Sequence, residues 1–176
     1  QQPPVIISVG ELGPRKDFAT LIRAFALVRA EMPCRLLILG KGKLQQSLLD
    51  LAAELGVADD VSLPGFVDSP SDWMAHSNLF AFSSQWEGLG FVLIEALAVG
   101  TPVVSTAGPS GPEEILEHGK YGPLVPVGDH EALAKTMLDT LHKPLPAEKL
   151  KQAALPYTIS AATNAYLDAM GLEHHS

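Results

Sequence analysis

The chain has 176 residues, 47% of them hydrophobic and 18% charged, which is enough apolar matter for one core and excludes a disordered segment. A formal net charge of −8 argues against a nucleic-acid surface, and no apolar run reaches the roughly 18 residues that a membrane-spanning helix needs. The single cysteine, Cys34, cannot close an internal disulfide, so a reducing, cytoplasmic compartment is expected.

In chain order, strand-length apolar runs alternate with segments of helical period. Residues 1–4 read as a linker remnant. VIISVG (5–10) predicts a strand and FATLIRAFALVRAEM (18–32) a helix. CRLLILG (34–40) predicts a strand, and KLQQSLLDLAAELG (43–56) a helix closed by Gly56. VSLPGFV (61–67) is a short strand and turn, PSDWMAHS (70–77) a short helix, and NLFAFSS (78–84) a strand. GFVLIEALAVG (90–100) is helical and TPVVST (101–106) a strand. GPEEILEHG (111–119) opens on proline as a helix does, GPLVPVG (122–128) is a last strand, and DHEALAKTMLDTLH (129–142) is a helix with Asp129 as its N-cap. Two terminal helices are expected at 146–154 and 159–170, within a C-terminal segment of 143–170. Residues 171–176, GLEHHS, resemble a tag remnant, and His174 and His175 are set aside with it.

The strands are continuous apolar runs, as suits a parallel sheet buried on both faces. The fold class is α/β: a Rossmann-like, doubly wound parallel sheet with right-handed crossovers, which binds ligands at the carboxyl ends of its strands. Four strand-to-helix loops therefore matter. GELGPRKD (10–17) carries Arg15 and Lys16 before a helix, as a phosphate site or a solvated turn. GKGKLQQS (40–47) has two of the three glycines of a dinucleotide fingerprint, with Gln45 where the third belongs. STAGPSGPEEIL (105–116) is a rigid turn or a ligand-facing loop with Ser110 and Gly111 as donors.

SSQWEGLG (83–90) is the most informative. Gly88 and Gly90 let a ligand approach the backbone, and the next helix offers free amides to a pyrophosphate. Glu87 and Glu95 lie at either end of that region. One reading gives both carboxylates to hydroxyls of a ligand, with Glu95 on a ribose. The other pairs Glu95 with a structural Arg or Lys and lets Glu87 cap the helix. The histidines at 76, 118, 130 and 142 lack metal-ligand spacing.

Taken together these segments resemble the carboxyl-terminal, donor-binding half of family-4 glycosyltransferases of the GT-B fold. The resemblance rests on Glu87-GLGFVLI-Glu95 (E-x₇-E), on EALAVGTPVVST and SGPEEIL after it, and on VGELGPRKDFATLIRAFALV and LPGFVDSPSDWMAHSNLFAFSS before it, covering about residues 5–142. It implies a retaining, metal-independent transfer of a sugar from a nucleotide-sugar, with UDP favoured by the SGPEEIL loop, to an acceptor hydroxyl in polysaccharide or glycan synthesis. No cofactor beyond the donor is expected. Lys16 would contact the diphosphate. Glu87, as catalytic residue, and the amides of Gly88, Leu89, Gly90, Phe91 and Val92 would hold the donor sugar and phosphates. Glu95 would bind the ribose, and Phe66 and Val67 would lie beside the base.

One position departs from the pattern: Glu11 stands where the family usually has an arginine, and Arg15 is the candidate replacement. GT-B enzymes use two such domains, so an N-terminal acceptor-binding partner domain is expected. This domain alone should bind a nucleotide-sugar without turning it over. Membrane contact would come only through the longer protein or a lipid-linked acceptor. The alternatives are a nucleotide-responsive binding domain and a nucleotide-sugar epimerase of the same architecture.

Overall fold

The apolar runs form six strands: β1 (Val5–Val9), β2 (Arg35–Leu39), β3 (Val61–Gly65), β4 (Leu79–Phe82), β5 (Val103–Thr106) and β6 (Leu124–Val125). Every pairing is parallel, and the order is β3-β2-β1-β4-β5-β6. This computed structural model describes residues 2–159. The expected helix at 159–170, apart from Ile159, and the segment 171–176 lie outside the described residues.

Seven helices are described: α1 (Phe18–Glu31), α2 (Gln45–Glu54), α3 (Pro70–Ala75), α4 (Phe91–Ala98), α5 (Pro112–Ile115), α6 (His130–His142) and α7 (Ala147–Ala154). Strand side chains alternate between two cores, because successive Cβ atoms point to opposite faces. Ile6, Leu36, Ile38, Leu79, Ala81 and Val104 pack under α1, α2 and α6. Ile7, Leu39, Phe80, Phe82 and Val103 pack under α3, α4, α5 and α7. Both faces are covered, which is why the strands read as unbroken apolar runs.

The expected Asp129 cap forms, accepting from the Ala132 amide at 2.9 Å. Two expectations were too long. The helix at 111–119 is a single turn, because Glu117 and His118 turn to positive φ (44° and 56°). The last strand keeps only Leu124 and Val125. At the other end, Pro4 already accepts from the Arg35 amide at 2.9 Å, extending the β1–β2 ladder into the segment read as linker.

Candidate functional site

The strand order reverses between β1 and β4. The loops leaving these neighbours diverge to opposite faces and open a crevice at the carboxyl ends. Two bonds tie the loops together across it. The Gln85 amide donates to the Arg15 carbonyl at 2.9 Å, and the Ser83 hydroxyl donates to the Lys16 carbonyl at 2.8 Å. Asp17, at φ 48°, ends the first loop and caps α1, accepting from the Thr20 hydroxyl at 2.8 Å.

The two loops meet in a charge cluster. Lys16 Nζ lies 2.5 Å from Glu87 Oε1, and Arg15 NH1 lies 2.8 Å from Glu87 Oε2. The Ser84 hydroxyl donates to Oε1 at 2.9 Å, and the Ser84 carbonyl is held by the buried Thr106 hydroxyl at 2.7 Å. The Lys16 ammonium sits 5.1 Å from the Phe82 ring centroid, and the Arg15 guanidinium 5.2 Å from that of Trp86. Both are cation–π distances. The Lys16 and Glu87 side chains are each 8% exposed, that of Arg15 35%. Burial opposes ionisation of Glu87, but the Lys16 ammonium, the Ser84 hydroxyl and the Arg15 guanidinium together hold its carboxyl below the usual range.

Beside this cluster the backbone is unclaimed. Among the described residues, the amides of Gly88, Leu89, Gly90, Phe91 and Val92 donate to no protein acceptor. Gly90, at φ 78°, is the N-cap of α4 and brings no side-chain cap. The helix therefore begins with bare donors at its positive end. Phe91 is 69% exposed beside them.

A cleft of about 390 Å³ opens at the ends of β1, β2 and β3, lined by Gly10, Glu11, Lys41, Phe66, Val67 and Pro70 among others. Phe66 presents a 67% exposed ring. The structure thus places Phe66 and Val67 in one cleft, and Arg15, Lys16 and Glu87 in one cluster next to the bare amides.

Three readings change. Glu87 does not cap α4; it bridges to the first loop. Glu95 is exposed, and among the described residues its side chain has no hydrogen bond or ion pair, so no structural Arg or Lys pairs with it there. The glycines of GKG are spacers between loops. A Cβ at Gly40 would stand 1.9 Å from the Gly10 carbonyl oxygen, and one at Gly42 2.3 Å from that of Leu12. The two loops are hydrogen-bonded at this contact, Leu12 N to Lys41 O at 2.9 Å and Leu44 N to Leu12 O at 3.1 Å.

Ser110, itself exposed, spends its hydroxyl on the backbone, donating to the Pro109 carbonyl at 2.7 Å and to the Glu87 carbonyl at 3.2 Å. Sequence reasoning missed Ser84 and left out Glu11, which lines the cleft. The three-residue spacing of Ser84 and Glu87 on a loop was the available signal for the first. Among the described residues no group of His, Cys, Asp and Glu side chains is arranged to hold a metal ion, and no helix is long and apolar enough to cross a membrane.

The sequence matches the family described as Glycosyl transferases group 1 over residues 1–155. It is 41% identical over 137 residues to the N-acetylgalactosamine-N,N'-diacetylbacillosaminyl-diphospho-undecaprenol 4-alpha-N-acetylgalactosaminyltransferase of Campylobacter jejuni, covering 76% of this chain and 37% of that protein. It is 38% identical over 134 residues to the lipopolysaccharide core biosynthesis glycosyltransferase LpsE of Rhizobium meliloti, covering 76% of this chain and 38% of that protein. The chain therefore spans well under half the length of these relatives. Among solved structures it resembles the pneumococcal O-GlcNAc transferase GtfA in complex with UDP and GlcNAc. The TM-score is 0.85 at 22% identity, covering 96% of this chain and 35% of that one. A match running from residue 1 to residue 155, on a parallel sheet of this order, makes the chain a member of the glycosyl transferases group 1 family and one Rossmann-like half of a GT-B fold.

Proposed function

We propose that this chain is the donor-binding domain of a retaining glycosyltransferase that takes a UDP-sugar as donor and serves polysaccharide or glycan assembly. One observation carries the reading: five consecutive unclaimed amides, Gly88 to Val92, stand at a helix start beside Arg15 and Lys16. Such a constellation suits a diphosphate. The base lies in the cleft against Phe66 and Val67. Glu95, one turn into α4 and without a partner among the described residues, accepts from the two ribose hydroxyls. Glu87 accepts from hydroxyls of the donor sugar. The relatives named above act in glycan assembly by their names, and GtfA was solved with UDP, which supports the donor class.

In the reaction the bond from the anomeric carbon to the diphosphate oxygen breaks and a bond to the acceptor oxygen forms. Negative charge grows on the leaving phosphate, where preorganised amides and cations stabilise it most. These groups give the neutralisation without a metal ion. Glu87 acts in this reading as a positioning carboxylate that accepts from the sugar hydroxyls, with no covalent intermediate. The acceptor then enters on the leaving-group face, and the departing phosphate oxygen takes its proton. The acceptor site belongs to the N-terminal half of the longer protein, so this domain binds donor and does not transfer sugar.

Calorimetric titration with UDP, GDP and ADP, each free and sugar-linked, tests the reading. UDP and a UDP-sugar should bind, and Glu95→Ala should weaken both about a hundredfold, the loss of two charge-assisted bonds. Absence of UDP binding at millimolar concentration, or tighter binding of GDP or ADP, would overturn the donor assignment.

A further inference from the structure

The reading above gives Glu87 one task and its two cationic partners another. Glu87 is to hold donor-sugar hydroxyls, and Arg15 and Lys16 are to hold donor phosphates. Yet all three are spent on one another. Both carboxylate oxygens of Glu87 are taken, Oε1 by the Lys16 ammonium and the Ser84 hydroxyl, Oε2 by the Arg15 guanidinium. A phosphate oxygen and a carboxylate oxygen are equivalent acceptors for these donors.

We propose that Arg15, Lys16 and Ser84 form a single oxyanion cage that Glu87 fills in the donor-free chain and that the donor's diphosphate takes over. Glu87 is then an internal competitor of the diphosphate, and its carboxylate is released toward the sugar only when phosphate arrives. The inference rests on the donor-site reading of the preceding section.

Three features support an exchange over a fixed strut. The cage is built and rigid: Lys16 is buried, its carbonyl is held by Ser83, the Arg15 carbonyl is held by the Gln85 amide, and the Ser84 carbonyl is held by Thr106. The backbone that follows the occupant has room to move. Gly88, next in sequence, is exposed, and a Cβ there would meet nothing within 4 Å, so there is open space for the loop to shift. The unclaimed amides of Gly88 to Val92 begin at the residue after Glu87. A diphosphate on those amides therefore brings its remaining oxygens to the mouth of the cage. Two anions cannot share the cage, because like charges at contact distance repel strongly. Recognition of the sugar is thereby made conditional on the phosphate, and a free monosaccharide finds Glu87 occupied.

The test is titration of the full chain and of Glu87→Gln with inorganic pyrophosphate, UDP and a UDP-sugar, with thermal melting alongside. Glu87→Gln empties the cage of its competing charge and leaves Lys16 buried without a counter-ion. Pyrophosphate and UDP should bind about tenfold or more tighter than to the unsubstituted chain, equivalent to one unit of lg K. The substituted protein should melt lower, and pyrophosphate should raise its melting temperature more than that of the unsubstituted chain. Glu87→Asp, whose shorter side chain retracts from the cage while keeping the charge, should show a smaller gain and serves if Glu87→Gln does not fold.

Unchanged or weaker pyrophosphate binding by the folded variants, with UDP still bound by the unsubstituted chain, overturns the exchange and leaves the donor site standing. Failure of every form to bind either ligand overturns both.

Discussion

The Lys16 ammonium lies 2.5 Å from the Glu87 carboxylate across 71 positions of sequence, and both side chains are almost wholly withdrawn from water. A pair so placed is sensitive to loss of one partner, because the survivor keeps its desolvation cost without its counter-ion. Lys16→Met should therefore destabilise the fold by about 3 kcal/mol. Arg15→Ala, whose side chain is 35% exposed, should cost about 1 kcal/mol or less, because water screens that bond. Urea unfolding followed by tryptophan fluorescence distinguishes the two, and equal losses would contradict this geometry.

The same cluster sets an acid limb. The Glu87 carboxyl is held below its ordinary range despite its burial, chiefly by Lys16. A carboxyl whose folded pKa is depressed adds stability that is complete above the unfolded value, about 4.3 for glutamate, and that is lost as pH falls through the folded value. The melting temperature should be insensitive to this group between about pH 6 and pH 8, well above that value. It should fall on acidification below about pH 4. Glu87→Gln should flatten that limb, and a limb of unchanged slope would remove Glu87 as its source.

How much of this was legible beforehand divides by range. Strand and helix positions followed from local apolar spacing, and five of the six strands were found within two residues of their observed ends. The cluster was not legible. The loops read locally offer Arg15 and Lys16 to a phosphate or to solvent, and Glu87 to ligand hydroxyls or a helix cap, because their meeting requires β1 and β4 to be neighbours, and nothing local in either loop states that. The glycines at 40 and 42 misled for a related reason. Gly-x-Gly before a helix is equally the mark of a phosphate loop and of a loop that another backbone must approach, and only the 1.9 Å approach to Gly10 separates the two. Of the two readings of Glu95, the pairing with a structural Arg or Lys fails among the described residues, because α4 turns that position outward.

The two kinds of glycine should respond oppositely to the same change. Gly40→Ala sets a Cβ against the Gly10 carbonyl at a backbone φ of 143°. It should cost more than about 3 kcal/mol or abolish soluble expression, as overpacking and backbone strain combine. Gly88→Ala meets nothing within 4 Å, and stability should stay within about 0.5 kcal/mol. Its UDP affinity should nevertheless drop, because the added methyl stands on the backbone that is to face phosphate. Denaturant midpoints and calorimetry on the same two proteins check both halves.

Cys34 should be silent until the fold opens. It is buried, and desolvation together with the nearby Asp60 pushes its thiol up to about 11 against the opposing pull of Arg29. At pH 8 only about one thiol in a thousand is then ionised. Labelling with a chromogenic disulfide should proceed at the rate of unfolding, and rapid labelling of native protein would show that the strand-β2 end is not closed as described.

The position of β1 in the sheet has a temporal consequence. It pairs on one side with β2 and on the other with β4, and the hydrogen bond from the Val5 amide to the Asn78 side chain, 73 residues on, leads into the second pairing. Contacts of such separation are slow to form, because a long loop must close before they yield anything. A nascent chain that has emerged only as far as β3 holds Arg15 and Lys16 with nothing opposite them. On the proposed donor site, the amides of Gly88 to Val92 join Arg15 and Lys16 only when β4 docks, so the complete anion site is a product of late folding.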